Sequence, residues 1–376
     1  MRRRDLLRWT ALAAVLPAWS GRASTAMRPA PATGASRCLV LVELKGGNDG
    51  LNTLVPFTDP EYYRLRPRLA IARDRVLSLD DRTGLHPALR ALMPAWEAGE
   101  LAWVQGVGYA EPNRSHFRSM DIWETASDRD EVLETGALPD AVILGGDEGP
   151  ARGGGLQVIT LRTPEQFAGD AARLKALEQP VEPTAALAHI LAVRASTRQA
   201  GVEFQRSLEA MGEAPAAFPQ TAPGRQLREV ARMLLAGMQI PVFKVRIGSF
   251  DTHHNQAARH ERLLTQLAEA LAVFRETLER AGLWDRVLVM SYSEFGRRVA
   301  ENASLGTDHG TAAPHLVLGG RVKGGLYGDP PDLTALDGGD LRYTTDFRRL
   351  YSTVAVNWWG MANPEWQERF PVMGWV

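Results

Sequence analysis

The apolar residues of the chain follow two patterns, short runs in which most residues are apolar and longer stretches in which apolar residues recur every three or four positions. The short runs predict buried strands at 38–44, 101–106, 241–247, 286–291 and 315–318. The periodic stretches predict amphipathic helices at 86–98, 115–125, 225–238, between the histidine pair and Gly282, and around 347–358. Strands that alternate with helices in this way indicate an α/β protein whose mostly parallel central sheet is flanked by helices.

The middle of the chain has a different composition. Residues 128–223 are rich in Glu, Ala and Pro, and their periodicity is mainly helical near 184–211. We expect a largely helical insertion or cap there, within a single domain at 37–376. Residues 27–36 are rich in Pro, Ala, Ser and Gly, a composition typical of a linker.

The N-terminus has the features of an export signal. A charged segment, Met1–Arg8, leads into the apolar run Trp9–Trp19, and residues 1–26 are interpreted as a signal peptide. Arg3 and Arg4 fit the twin-arginine pattern, while an ordinary secretory signal is the alternative. The run is far shorter than the roughly 20 residues that a membrane-spanning helix needs. We therefore expect a domain that has no membrane span and that is delivered to the periplasm or secreted. The twin-arginine machinery is expected as its export partner.

Composition excludes several classes of protein. The 376 residues are 45% apolar, enough for a large core. Loss of residues 1–26 removes five arginines and one aspartate and takes the formal charge from −1 to −5, so neither nucleic acid nor an anionic membrane is expected as a partner. The single Cys38 excludes an internal disulfide and a zinc–thiolate cluster. Any metal must be held by histidine and carboxylate.

Polar residues follow or border the predicted strands at five places. In open α/β sheets the ligand site lies beyond the carboxyl ends of the strands, so we expect these groups to meet on one rim. Five of the eight histidines fall between 253 and 315. Imidazoles with carboxylates are the ligand set of Zn²⁺ and Mn²⁺. The groups are Asn48-Asp49, Asn113 to His116, Asp251 with His253 and His254, Ser293-Glu294, and Asp308-His309.

Each group also has a purely structural interpretation. Asn-Asp-Gly at 48–50 and Asp-His-Gly at 308–310 are typical of tight turns. Asp251 and Ser115 suit helix caps, and Glu294 could form a surface ion pair with Arg297. Of the four remaining histidines, three are assigned to packing or to the surface: His86, His189 and His260.

Five motifs together resemble one bacterial family, the domain of unknown function 1501. This family is exported, often by the twin-arginine route, and belongs to the alkaline phosphatase and sulfatase superfamily. The resemblance covers most of residues 38–360 and implies an alkaline phosphatase-like fold. The motifs are Leu44-Lys-Gly-Gly-Asn-Asp-Gly-Leu-Asn52, Ser115-His116-Phe117, Ser293-Glu-Phe-Gly-Arg297, Asp308-His-Gly310 and Thr345-Asp-Phe-Arg348.

The resemblance also implies roles for individual residues. It places one or two divalent ions, Zn or Mn, on a set of ligands drawn from Asp49, Asp251, His253, His254, Glu294, Asp308 and His309. It makes Ser115 the counterpart of the superfamily's nucleophile, with His116 beside it among the catalytic residues. Arg114 and Arg297 are candidate clamps for the oxygens of the substrate, with surface salt bridges as the alternative.

The expected function is an exported metal-dependent hydrolase of phosphate or sulfate esters that acts on a small anionic substrate. The chain departs from the superfamily where Glu294-Phe295 replaces a usual Asp-His pair. His315, the fourth of the remaining histidines, could replace the histidine that usually follows the acidic residue at position 294. Two other interpretations remain open at this point: a catalytically inactive binding or assembly protein of the same fold, and a metal-binding protein without hydrolysis.

Overall fold

A computed structural model describes residues 37–133, 141–147, 149–151, 158–174, 185–210, 218–361 and 364–376. The predicted signal peptide, the linker and the glycines at 153–155 lie outside these residues. The described strands are β1 Cys38–Leu44, β2 Leu54–Val55, β3 Leu77–Ser78, β4 Gly84–Leu85, β5 Leu101–Gly108, β6 Ala141–Ile143, β7 Val158–Thr160, β8 Val242–Ile247, β9 Val287–Tyr292, β10 Ala313–Leu318, β11 Gly325–Tyr327 and β12 Thr345–Asp346.

The described α-helices cover most of the predicted periodic stretches. Predicted helix 86–98 is a 3₁₀ segment at Pro87–Leu92 followed by one short α-helix, and the last predicted helix ends in a π-helical turn at Val354–Trp358. The helices are α1 Pro60–Leu65, α2 Met93–Glu97, α3 His116–Thr125, α4 Pro164–Ala172, α5 Ala185–Ala210, α6 Ala222–Leu235, α7 Gln256–Arg280, α8 Arg348–Thr353 and α9 Pro364–Arg369.

The strands form a nine-stranded central sheet and a small three-stranded sheet. The central order is β11-β5-β10-β9-β1-β8-β6-β7, with β12 also paired to β5. Strands β9, β1, β8, β6 and β7 pair in parallel, whereas β10 is antiparallel to both of its neighbours. The predicted α/β class with a mostly parallel sheet is confirmed. The region predicted as an insertion contributes α4 and α5 and also two strands, β7 at one edge of the sheet and β6 between β7 and β8.

Both faces of the sheet are covered, as the mostly apolar strands predict. Successive side chains of a strand point to opposite faces, so Val40 and Val42 pack in the layer of α6 and α7. Leu39 and Leu41 pack in the other layer, with Trp123 of α3. Full burial of one such side chain stabilises the fold by about 1.5–3 kcal/mol. The two layers leave the ends of the strands as the exposed edges of the sheet.

One edge of the central sheet, here called the rim, gathers the loops that carry the candidate residues. The carboxyl ends of β1, β8 and β9 lie there because the three strands are parallel. The carboxyl end of β5 lies there too, since β5 and β9 both run antiparallel to β10. For the same reason the rim holds the amino end of β10, and the residues 308–309 reach it by preceding a strand.

No helix in the described part of the chain is both long and apolar enough to cross a membrane.

Candidate metal centre

Three histidines and one aspartate meet on the rim. His116, Asp251 and His309 each offer a ligand atom, and these atoms lie within 4.8 Å of one another. His253 joins them, since its Nε2 is 3.0 Å from Asp251 Oδ1 and 3.0 Å from His309 Nε2. His116 Nε2 is 3.8 Å from Asp251 Oδ2, and His309 Nε2 is 3.3 Å from Asp251 Oδ1. We call His116, Asp251, His253 and His309 the rim cluster.

Each imidazole of the rim cluster has its Nδ1 within hydrogen-bonding distance of an oxygen acceptor. His116 Nδ1 is 3.3 Å from Glu294 Oε1, and His253 Nδ1 is 3.0 Å from Asp308 Oδ1. His309 Nδ1 is 3.0 Å from the carbonyl oxygen of Arg114. A metal ion bound at Nε2 of each ring would leave the ring proton on Nδ1, where these carboxylates and the carbonyl can accept it. Histidines that bind metals are oriented by outer acceptors of this kind.

The lone pairs then face one another and a carboxylate. At 3.0 Å, the Nε2 atoms of His253 and His309 repel unless a proton or a metal ion lies between them. Two nitrogens at 2.0–2.1 Å from one tetrahedral zinc ion are about 3.3 Å apart. Burial and the charge of Arg297 lower the pKa of His309, which favours the unprotonated imidazole. The donor set therefore fits a divalent ion.

Asp251 is held in place as an ionised carboxylate. Arg297 Nη2 lies 2.6 Å from its Oδ1. Burial raises the pKa of the Asp251 carboxyl, but the hydrogen bond and charge of Arg297, with His309 and His253, outweigh burial and lower it. Asp251 does not cap the following helix, because α7 begins at Gln256 with Asn255 in the cap position. Its side chain remains 46% exposed, so the rim cluster is open to solvent.

Glu294 is fully buried and acts on the rim cluster through His116. Its carboxylate accepts hydrogen bonds from the backbone N–H groups of Gly46 at 2.9 and 3.0 Å and of Gly47 at 3.1 Å. Both glycines have positive φ, +118° and +81°, and a Cβ on Gly46 would lie 2.3 Å from Asp251 N. Burial raises the pKa of Glu294, but the hydrogen bonds of His116 and the backbone lower it overall. The turn after β1 thus builds a seat for one carboxylate.

Asp49, which the family resemblance implies as a metal ligand, lies outside the rim cluster. Its buried carboxylate forms an ion pair with Arg66, whose Nη1 is 2.6 Å from Oδ2, and accepts a hydrogen bond from the Gln256 amide. Both members of the ion pair are at most 1% exposed. Burial raises the pKa of Asp49, but Arg66 outweighs burial and lowers it. A guanidinium therefore occupies the position at which a second cation would meet this carboxylate.

The two candidate oxyanion clamps are both engaged by protein groups. Arg297 is buried, and its guanidinium donates to the carbonyls of Gly47 and Thr307 at 2.7 and 2.9 Å as well as to Asp251. Arg297 thereby ties the loops after β1 and β8 to its own. Arg114 pairs through its side chain with Asp340 and contributes its carbonyl to His309. Both guanidinium groups are therefore already paired with a carboxylate of the protein.

Ser115 and His254 are exposed neighbours of the rim cluster. Ser115 precedes α3, but its hydroxyl makes no capping bond to that helix and none to another described residue. Its chain neighbours Arg114 and His116 supply, respectively, an outer acceptor and a proposed ligand. His254 is exposed, and no hydrogen bond or ion pair links it to the rest of the described rim.

The rim cluster forms part of the wall of a cleft of about 1170 Å³. His116 and Asp251 line the cleft together with three cationic residues, Lys45, Arg118 and Arg246. Structural zinc sites are closed by protein ligands, whereas catalytic sites keep an open position. Asp251 is 46% exposed and lines the cleft with His116, so an ion held here would have one side open to the cleft.

The sequence motifs place His116 beside the expected nucleophile. They do not distinguish residues that could bind a metal ion directly from residues that hydrogen-bond to them. Glu294 and Asp308 carry the acidic character of ligands, yet the structure places them behind His116 and His253. Arg66, the partner of Asp49, had no sequence signal, since it lies in a polar stretch 17 residues further along the chain.

Comparisons with known proteins give a family and distant structural likenesses. Residues 168–355, half of the chain, match the family described as "Protein of unknown function (DUF1501)". No curated protein matches the chain. Similar solved structures include a protein in the alkaline phosphatase superfamily from Vibrio parahaemolyticus, with 9% identity over 87% of this chain and 71% of that chain and a TM-score of 0.36.

Two further structures are similar at the same level. The lipoteichoic acid synthase from Listeria monocytogenes has 10% identity over 88% of this chain and 73% of that chain, with a TM-score of 0.39. The soluble domain of lipooligosaccharide phosphoethanolamine transferase A from Neisseria meningitidis has 11% identity over 86% of this chain and 88% of that chain, with a TM-score of 0.38. At TM-scores below 0.5 the superpositions are partial, and the rim is interpreted from its own geometry.

Proposed function

The chain belongs to the DUF1501 family of proteins of unknown function, and we propose that it is a metal-dependent hydrolase of phosphate or sulfate esters. The observation that carries the proposal is the convergence of three imidazole Nε2 atoms and the Asp251 carboxylate, each ring being fixed from behind by an acceptor. We propose one Zn²⁺ or Mn²⁺ ion, held by His116, Asp251, His253 and His309.

A single ion is proposed because the other implied ligand set is incomplete. Asp49 is neutralised by Arg66, and Glu294 is occupied by the backbone N–H groups of Gly46 and Gly47 and by His116. Asp308 is hydrogen-bonded to His253 and to the Asn302 amide. These carboxylates serve the rim cluster as neighbours and supports.

The open position of the rim cluster supports catalysis over a structural role for the metal. When bound, the ion would supply Lewis acidity and neutralise charge that develops on the oxygens of the transferred group. Glu294 and Asp308 hold the rings of His116 and His253 in one orientation, so the ligands need no rearrangement during the reaction. The free N–H groups at the start of α3 favour an anionic group in the adjoining cleft.

Turnover with metal supplied tests the proposal. The mature protein, loaded with Zn²⁺ or Mn²⁺, is expected to hydrolyse at least one of an aryl phosphate, a phosphodiester and an aryl sulfate, and a chelator is expected to remove that activity. A protein that binds the ion yet turns over none of the three esters would contradict the hydrolase proposal and favour the metal-binding alternative.

Ser115→Ala is expected to abolish turnover while the fold and the metal content stay unchanged. The Ser115 hydroxyl is exposed at the start of α3 and forms no capping bond, so its loss removes a nucleophile and costs less stability than the roughly 0.5–2 kcal/mol of a true N-cap. Initial rates at equal folded concentration measure the effect, with the exposed Ser78→Ala as the control. Full activity in Ser115→Ala would exclude a serine nucleophile and assign the attack to water.

We further propose export to the periplasm by the twin-arginine route, on the basis of the charged leader at Met1–Arg8. Replacement of both Arg3 and Arg4 by Lys is expected to remove the mature form from the periplasmic fraction, because the twin-arginine signal is an address read by a receptor. Arg8→Lys, in the same leader, is the control and should leave export unchanged. Undiminished export of the double variant would assign the leader to the general secretory route.

A further inference from the structure

The cleft beside the rim cluster has an apolar side that none of the roles above explains. Phe117 and Val132 both line the cleft, and they are 91% and 77% exposed. Met120, one turn after Phe117 on α3, lines the same cleft. Apolar side chains that line a cleft beside polar groups are typical of a ligand-binding surface. Phe117 directly follows His116 of the rim cluster in sequence.

The cleft also carries one cation, Lys45, whose charge lowers the pKa of Asp147 in the same cleft but which forms no close ion pair with a described residue. Arg118 bonds to Asp121 and to backbone carbonyls, and Arg246 lies 3.5 Å from the buried Glu43. The half-buried Lys45 forms no ion pair with any residue in the described part of the chain. Lys45 lies directly before the glycine turn that seats Glu294. With no close ion pair to a described carboxylate, its ammonium can pair with an anionic group bound near the rim cluster.

Resting on the hydrolase function proposed above, we infer that the cleft selects anionic esters whose alcohol half is a bulky apolar group, such as an aryl alcohol. Phe117, with Val132 and Met120, contacts the apolar group, and Lys45 pairs with an oxygen of the phosphate or sulfate. Hydrolysis adds water across the P–O or S–O ester bond, so the apolar alcohol leaves with one proton and the anion keeps the new oxygen. Phe117 and Lys45 are specificity-determining residues.

The test compares matched substrates that differ only in the alcohol half, phenyl phosphate against methyl phosphate or phenyl sulfate against methyl sulfate. Because apolar contacts of this size discriminate by roughly 10- to 200-fold, Phe117→Ser is expected to lower the phenyl-to-methyl ratio of kcat/KM at least about tenfold, mainly through KM. Phe117 is nearly fully exposed, so its replacement should not unfold the protein. Leu235→Ser, an exposed apolar residue of α6 outside the cleft, is the matched control.

Lys45 is tested with the same substrates. Lys45→Met is expected to raise KM for the phenyl and methyl esters alike, and Lys45→Arg is expected to restore most of the loss. The exposed Lys323 lies outside the cleft, and Lys323→Met should change neither KM. An unchanged KM in Lys45→Met would overturn the role of Lys45.

Binding measurements separate this inference from the hydrolase proposal. Titration of the metal-loaded protein with phenylphosphonate and methylphosphonate needs no turnover, and tighter binding of the phenyl compound, lost in Phe117→Ser, supports the inference even if no ester is cleaved. Equal affinity for the two phosphonates overturns it. A dimer that dissociates on Phe117→Ser would assign the apolar patch to self-association and would also overturn it.

Discussion

His309→Ala is expected to lower the affinity of the rim cluster for a divalent ion by more than the roughly 10- to 100-fold that outer partners of a metal site are worth. His309 is the member that approaches both His253 and Asp251, with its Nε2 at 3.0 and 3.3 Å from their ligand atoms. Its loss leaves a gap in the middle of the donor set. Turnover is expected to fall with the bound metal.

Isothermal titration of the apoprotein with Zn²⁺ and the melting of the loaded protein measure this effect. At an ion concentration 100 times its Kd, binding stabilises the native protein by about 2.7 kcal/mol, and a 100-fold weaker site leaves only about 0.4 kcal/mol. His254→Ala is the matched control, because His254 is exposed and stands next to His253 in sequence. Equal losses of affinity in the two variants would contradict the assignment of His309.

Arg66→Ala is expected to destabilise the protein by about 3–5 kcal/mol, since removal of one partner of a buried ion pair leaves the other charge uncompensated. The side chains of Arg66 and Asp49 are 0% and 1% exposed, and Arg66 also donates to the Val299 carbonyl at 2.8 Å. Urea unfolding of the purified variant measures the loss. Arg64→Met is the control, because Arg64 of the same segment forms only an exposed ion pair with Glu61, worth roughly 0–1 kcal/mol.

The same ion pair separates two roles for Asp49. If Asp49 serves Arg66, Asp49→Asn lowers the free energy of unfolding while the metal content of the folded protein stays unchanged. Combined with Arg66→Met, its effect should fall short of the sum of the single effects, because residues in direct contact couple by about 0.5–3 kcal/mol. Loss of the ion in folded Asp49→Asn would restore the ligand role implied by the family resemblance.

The fold class followed from the sequence because the strongest signals were local. Runs such as Cys38–Leu44 and Val287–Tyr292 are apolar except for Glu43 and Ser291, which is the pattern of strands covered on both faces. The direction of a strand has no such signal, so the antiparallel course of β10 was not predicted. Strands β6 and β7 have three residues each. Runs this short give no recognisable strand pattern within a region whose composition is mainly helical.

The sequence predicted which residues lie on the rim, but it did not predict the role of each one. His253 and His254 are adjacent histidines that the local sequence does not distinguish. Only the tertiary structure shows that His253 contacts Asp308, which lies 55 residues further along the chain. Asp49 was expected to bind a metal ion because it follows β1 in a glycine-rich turn and matches a ligand position of the family that the sequence resembles. Its actual partner is Arg66, and that ion pair depends on how α1 packs against the loop after β1. Contacts of this kind are set by tertiary packing and leave no local pattern.

The metal content of the mature protein tests the central claim most directly. Elemental analysis after saturation with Zn²⁺ or Mn²⁺ and removal of the free ion is expected to show about one ion per chain, which His309→Ala loses and His254→Ala keeps, because the proposed ion is held by one defined set of ligands. Chelation should lower the melting temperature of the wild-type protein. Less than about 0.2 ion per chain, with melting indifferent to the chelator, would contradict a metal site on the rim.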